Sequence, residues 1–144
     1  MLASLFDQRE GRAMTAPPST VFTSLRQAPT ASMRLDRGTV ASLFGLQTGA
    51  QHVDIHVNTL KPDSGPGPYH FHAESDNVYF VLEGEIAVVV EGEEFRLGPD
   101  DALFIPPGLR HATANCGRVP ARFIEIYAPA APDFHLADDG QAPR

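Results

Sequence analysis

Three histidines carry the chemistry that this sequence offers most plainly. His70 and His72 stand two residues apart in PYHFHAESDNVYFVLEG, and His111 follows the turn PPGLR roughly forty residues later. On a strand, residues two apart share a face and lie about 6.6 Å apart along the chain. Two imidazoles so placed can converge on one ion, each nitrogen about 2.0–2.1 Å from it. Pro106-Pro107-Gly108 cannot continue a strand, and that turn re-aims the chain so that His111 points back toward the pair. The expected cofactor is therefore a divalent metal ion. Imidazole suits several metals, so Fe, Zn, Ni, Mn and Cu all remain open.

The two stretches together resemble the cupin family. Its first motif has the form G-x5-H-x-H-x3,4-E-x6-G, matched here by HFHAESDNVYFVLEG with Gly84 closing it. Its second has the form G-x5-P-x-G-x2-H-x3-N, matched from Asp100 to Asn115 by Pro106, Gly108, His111 and Asn115. Fifteen residues separate Gly84 from Asp100, the short spacing of many small members. The resemblance covers roughly Gly67 to Tyr127. It implies an all-β, single-domain cupin jelly-roll β-sandwich or barrel with the site inside.

Three departures from the pattern matter. Asp100 stands where the second motif opens with glycine, and Gly65 and Gly67 lie nearer His70 than the first motif wants. Asn77 stands where the family has its glutamate ligand. The resemblance thus implies a metal set of His70, His72, Asn77 and His111, with Asp76 as the reserve fourth ligand and Glu74 a further carboxylate nearby. An amide in place of a carboxylate removes one negative charge beside the ion. One unit charge at about 4 Å is worth on the order of 4 kcal/mol at an effective dielectric near 20. Such a site should prefer anionic ligands and hold its metal less tightly than one with glutamate.

If His70, His72 and Asn77 face inward, Tyr79 and Val81 share the face of Asn77, and Tyr79 becomes a candidate for orienting substrate. On the last strand, ARFIEIY, either Phe123, Glu125 and Tyr127 or Arg122, Ile124 and Ile126 face inward. The second arrangement is the preferred one, in which Glu125 is merely solvated. In the first, Glu125 is the obvious general base, and Tyr79 and Glu125 are the candidate catalytic residues. Two functions follow. Family resemblance favours a metal-dependent oxidoreductase, dioxygenase-like, acting on a small anionic organic molecule. The alternative is a cupin module that binds metal or a small ligand without turnover.

The elements that must position these residues are short strands. TVASLFGLQT and HVDIHVNTL are β-rich runs around Gly49-Ala50, and VYFVL, EIAVVV, EEFRL and DALFI follow. Glu83-Gly84 and Glu91-Gly92 mark hairpins, where glycine supplies positive φ. In HVDIHVNTL, Val53, Ile55 and Val57 alternate with His52, Asp54, His56 and Asn58. The expected disposition puts the aliphatic face in the core and the polar face toward water or a second subunit. Residues 1–38 read as an N-terminal extension, in which Leu2, Leu5 and Phe6 suit a short helix or a frayed tail and Val21–Arg37 an added strand or loop. Residues 39–127 read as the barrel. Residues 128–144, APAAPDFHLADDGQAPR, read as a C-terminal tail whose last dozen residues are dispensable for stability and metal content.

Length and composition set the remaining bounds. One domain is the natural count for 144 residues. A net charge of −7 and the lack of any basic run argue against a nucleic-acid partner. No run approaches the apolar length of a membrane span, and no basic-then-apolar leader opens the chain, so a cytoplasmic location is expected. The single Cys116 excludes an internal disulfide. A homodimer is expected, paired through the polar face around His52, Asp54 and His56.

Overall fold

The computed structural model describes residues 20–137. Eleven strands form two antiparallel sheets that pack face to face. They are β1 (Thr30–Ser32), β2 (Gly38–Phe44), β3 (Asp54–Leu60), β4 (His70–Phe71), β5 (Asp76–Glu83), β6 (Ile86–Val90), β7 (Glu93–Leu97), β8 (Ala102–Ile105), β9 (His111–Ala114), β10 (Ala121–Ala128) and β11 (His135–Leu136). The first sheet runs β1-β2-β3-β10-β5-β8 and the second β11-β4-β9-β6-β7. This is the jelly-roll sandwich that the two motifs imply. No described helix is long and apolar enough to cross a membrane.

The core lies between the sheets. Leu60, Val81, Ile86, Val88, Leu97, Ile105 and Phe123 form one buried cluster with Tyr79 and Ala121. Period-two alternation in β5 and β10 aims every second side chain at it, and both strands show strict alternation of buried with more exposed residues. The β5–β6 turn needs glycine. Gly84 has φ +74°, and a Cβ there would lie 2.6 Å from Pro120 O and 2.8 Å from Ala121 Cα. The run TVASLFGLQT stops being a strand at Phe44, because a 3-10 turn over Leu46–Thr48 is closed by Thr48 Oγ1, which accepts from the Gly45 N–H at 3.0 Å.

Both flanks of the barrel contribute structure. Val21–Arg37 supplies β1, which pairs with β2, and a 3-10 turn over Arg34–Asp36. Residues 128–137 are not the loose tail expected of them. β11 pairs with β4, the Ala137 N–H donates to Tyr69 O at 2.9 Å, and Ala137 is buried with Tyr69 and Ala112. Residues 1–19 and 138–144, with the short helix or frayed tail expected around Leu2, Leu5 and Phe6, fall outside the described residues.

Candidate metal centre

β4 and β9 build the cluster. His70 pairs directly with His111 across the two strands, and His72 follows two residues after His70. Ring centroids lie 4.4 Å apart for His70 and His111, 5.0 Å for His70 and His72, and 5.4 Å for His72 and His111. Potential ligand nitrogens of all three lie within 4.8 Å of one another. Each Nδ1 faces a backbone carbonyl: Pro68 O at 2.7 Å from His70, Asp133 O at 2.5 Å from His72, and Leu109 O at 2.9 Å from His111. A carbonyl only accepts, so each Nδ1 carries the proton and each Nε2 is left with its lone pair. That is the tautomer a metal needs, fixed by the outer hydrogen bond as in known metal-binding histidines.

Electrostatics point the same way. Burial, helped by the neighbouring His111, pushes His70 down to about 4, and burial lowers His111 as well. These rings stay neutral at physiological pH. Nε2 of His72, Nε2 of His111 and Oδ1 of Asn77 are all buried without a hydrogen-bond partner among the described residues. Orphaned buried acceptors are costly. A divalent ion taking these lone pairs would remove that cost, so the donor set fits a metal.

Asn77, only 1% exposed, sits on β5 and donates from Nδ2 to Glu125 Oε1 at 3.2 Å and to Ile126 O at 3.3 Å. Its amide oxygen is thereby left as the free end. Glu74 and Asp76 are exposed, and neither belongs to the cluster.

β10 presents Phe123, Glu125 and Tyr127 inward, the arrangement not preferred from the sequence. Glu125 accepts four hydrogen bonds. Oε1 takes Tyr127 O–H at 2.6 Å and Asn77 Nδ2 at 3.2 Å, while Oε2 takes Asn58 Nδ2 at 2.5 Å and His56 Nε2 at 3.1 Å. Burial alone would raise this carboxyl, but the His56, Tyr127 and Asn77 contacts outweigh it and hold it at about 2. Burial would likewise lower His56, yet Glu125 and Asp54 raise it, so the two form a buried ion pair.

His56 and Asn58 were expected to face water or a second subunit, and here the structure differs. Both line the interior, because β3 is covered on both faces: Leu60, on the face of His56 and Asn58, joins the core, and Val57 on the other face is buried between Ala41 and Ile124. His52 stays exposed. The register offers the missed signal, since β3 sets His56 directly beside Glu125 on β10.

One cavity of about 220 Å³ joins these groups. His70 of the cluster lines it together with His56, Asn58, Tyr79 and Glu125, and Arg37 reaches it from the N-terminal flank. It continues into a mouth of about 300 Å³ walled by Met33, Arg34, Val40, Pro68 and Phe134. Tyr79 remains a neutral phenol, pushed well up by burial and by the Glu125 charge, and its oxygen accepts from Thr113 Oγ1 at 3.2 Å. The C-terminal flank closes the cluster from outside. Phe134 stacks on His70 at 4.5 Å and 20°, and the Asp133 carboxylate accepts from the Ala73 and Glu74 N–H groups.

Comparison with known proteins agrees with this architecture. The tetracenomycin polyketide synthase protein TcmJ of Streptomyces glaucescens is 46% identical over 63 residues, 44% of this chain and 42% of that protein. Polyketide synthase CurC of Streptomyces cyaneus is 37% identical over 75 residues, 51% of this chain and 49% of that protein. The chain thus matches less than half the length of either relative. Among solved structures, the polyketide cyclase RemF from Streptomyces resistomycificus superposes with a TM-score of 0.71 at 24% identity, covering 84% of this chain and 89% of that one. The family model of the cupin domain matches residues 56–127. With its jelly roll and three-histidine cluster, the chain belongs to the cupin family.

Proposed function

We propose that this cupin is a metal-dependent enzyme that closes a ring in an enolisable polyketone by aldol addition and loss of water. The observation that carries the reading is the shared cavity, in which His70 of the metal cluster meets the His56–Glu125 ion pair. His70, His72 and His111, with Oδ1 of Asn77, would hold the ion. When bound, the ion supplies Lewis-acid polarisation of a carbonyl oxygen.

The protein's own groups do the rest. β-Diketones enolise readily in water, so the site needs to orient the chain, polarise the attacked carbonyl and protonate the new alkoxide. His56, held in its charged form by Glu125 at 3.1 Å and by Asp54 at the longer 3.4 Å, is the proton carrier on the cavity wall, giving up the weaker Asp54 contact to reach the alkoxide. Glu125 itself has both oxygens filled by four donors and no lone pair left for a substrate proton. The base role expected for Glu125 therefore gives way to a positioning role toward His56. The Tyr79 hydroxyl donates to a second substrate oxygen. The inner cavity suits about one ring, and an extended chain would lie on through the mouth. Similarity to two polyketide synthase proteins supports this substrate class.

The test is a linear triketo acid that closes to an aromatic hydroxy acid as water leaves. Metal-loaded protein is expected to accelerate appearance of the aromatic absorbance without consuming oxygen, and His56→Gln to slow it by about 100-fold or more. Oxygen uptake with this or a related diketone would instead support the dioxygenase reading. Neither response would leave a binding module. The exposed Cys116 thiol is compatible with a cytoplasmic location. A homodimer is also kept as part of this reading, and light scattering at micromolar protein reads it directly.

The Asn77 amide has a further reason to be an amide. It donates to the Glu125 carboxylate, so the negative charge of the family's glutamate position lies one hydrogen bond farther from the ion. Asn77→Glu should set two carboxylates against each other and destabilise the fold. Combining it with Glu125→Gln should recover much of the loss and tighten metal binding. Thermal melts and metal titration of the three variants check this, and a double variant no better than the single would contradict it.

A further inference from the structure

Arg37 stands out among the cations of this acidic chain. Its half-buried side chain lines both the inner cavity and the mouth. Nε and Nη2 donate to Gly65 O at 3.3 and 3.1 Å, and Nη2 also donates to Thr113 O at 2.5 Å. Those bonds occupy the Nε and Nη2 groups with neutral carbonyls. The two N–H groups on Nη1 have no protein partner among the described residues. Lys61, Arg96, Arg110 and Arg122, all nearer the surface or at it, are each paired with a carboxylate. Among the described residues, Arg26, Arg34 and Arg118 have no carboxylate either but are exposed, whereas Arg37 has none and is half-buried.

A charge withdrawn from water without a counter-charge is expensive, so its retention on a cavity wall calls for an anion. The local backbone is fitted to it: a Cβ on Gly67 would lie 2.4 Å from Nη1, so only glycine leaves the guanidinium its place. The mouth beside it is mostly apolar. Phe134 forms one wall with Arg34 over its ring at 5.6 Å, and Met33, Val40 and Pro68 form the others. We propose that Arg37 anchors a carboxylate at the end of a planar, conjugated substrate whose other end reaches the histidine cluster. Two N–H groups and one positive charge on Arg37 match a single carboxylate, while the other guanidinium of the mouth, Arg34, lies over the Phe134 ring. The inference rests on the cyclase reading above and gives its substrate an acid terminus.

The test compares naphthoate with naphthamide, isosteric planar probes differing in charge, by calorimetric titration of the protein as purified and after chelator treatment. Wild type should bind naphthoate at least about tenfold tighter in both states. Arg37→Gln should weaken naphthoate by about tenfold to a hundredfold while leaving naphthamide within about twofold, and Arg37→Lys should recover part of the loss. Equal affinity of wild type for the two probes would overturn the assignment with no variant needed. So would a preference that disappears with the metal, or one that survives Arg37→Gln. The cyclase reading fails separately: if the probes behave as expected but the triketo acid is not cyclised, Arg37 still reads an acid and the reaction is a different one.

Discussion

Glu125→Ala is expected to be the most destabilising single change in the barrel, costing about 3–5 kcal/mol as the loss of one partner of a buried ion pair. The carboxylate organises four donors from three strands: His56 and Asn58 on β3, Asn77 on β5 and Tyr127 on β10. Truncation leaves the Tyr127 hydroxyl, Asn58 Nδ2 and His56 Nε2 without this acceptor and Asn77 Nδ2 with Ile126 O alone. Melting temperature should fall on the order of ten degrees, and a fall of only one or two degrees would contradict the role given to Glu125.

The same pair fixes a pH dependence. The folded Glu125 carboxyl is held at about 2, below its ordinary 4.5, so its contribution is complete above 4.5 and is lost as pH falls toward 2. That difference corresponds to roughly 3 kcal/mol. His56 is raised above its ordinary 6.5, so its contribution is complete below 6.5 and fades as pH rises through the raised value. Stability relative to Glu125→Gln should therefore be greatest between about 4.5 and 6.5. A stability difference that is flat from pH 3 to pH 8, by urea titration, would contradict the pair.

Ending the chain at Ala130 should lower metal affinity by about tenfold to a hundredfold, the usual cost of losing the outer partners of metal-bound histidines. Three contacts go with that segment. His72 loses the Asp133 carbonyl that fixes its tautomer, His70 loses the stacked ring of Phe134, and β4 loses β11 as its neighbour. Restoring residues 131–137 alone should restore the affinity. Unchanged metal binding in the shorter chain would make the C-terminal flank a bystander.

The sequence was legible where a local pattern had one solution. The spacing of His70 and His72, the PPGLRH turn and the glycine at position 84 each leave the backbone one course, and the three imidazoles converge as those signals imply. Legibility failed where the answer depended on which face of a strand is covered. β3 alternates cleanly, and its apolar face was the natural choice for the core; closure of the sandwich covers both faces, and His56 and Asn58 go inward because Glu125 stands opposite. The sign of the β10 face was equally open from ARFIEIY alone. Arg37 and Phe134 lie in proline-rich or mixed stretches outside both motifs, and only the folded chain brings them to the cavity.

The most direct test is the coordination of the ion itself. Protein loaded with zinc or iron and studied by X-ray absorption should show one ion per chain and three imidazole nitrogens at about 2.0–2.1 Å. His70→Ala, His72→Ala and His111→Ala should each lose most of the metal with the fold intact. Failure to bind an ion at one per chain, a first shell without imidazole, or metal content retained in all three variants would contradict a histidine-held centre.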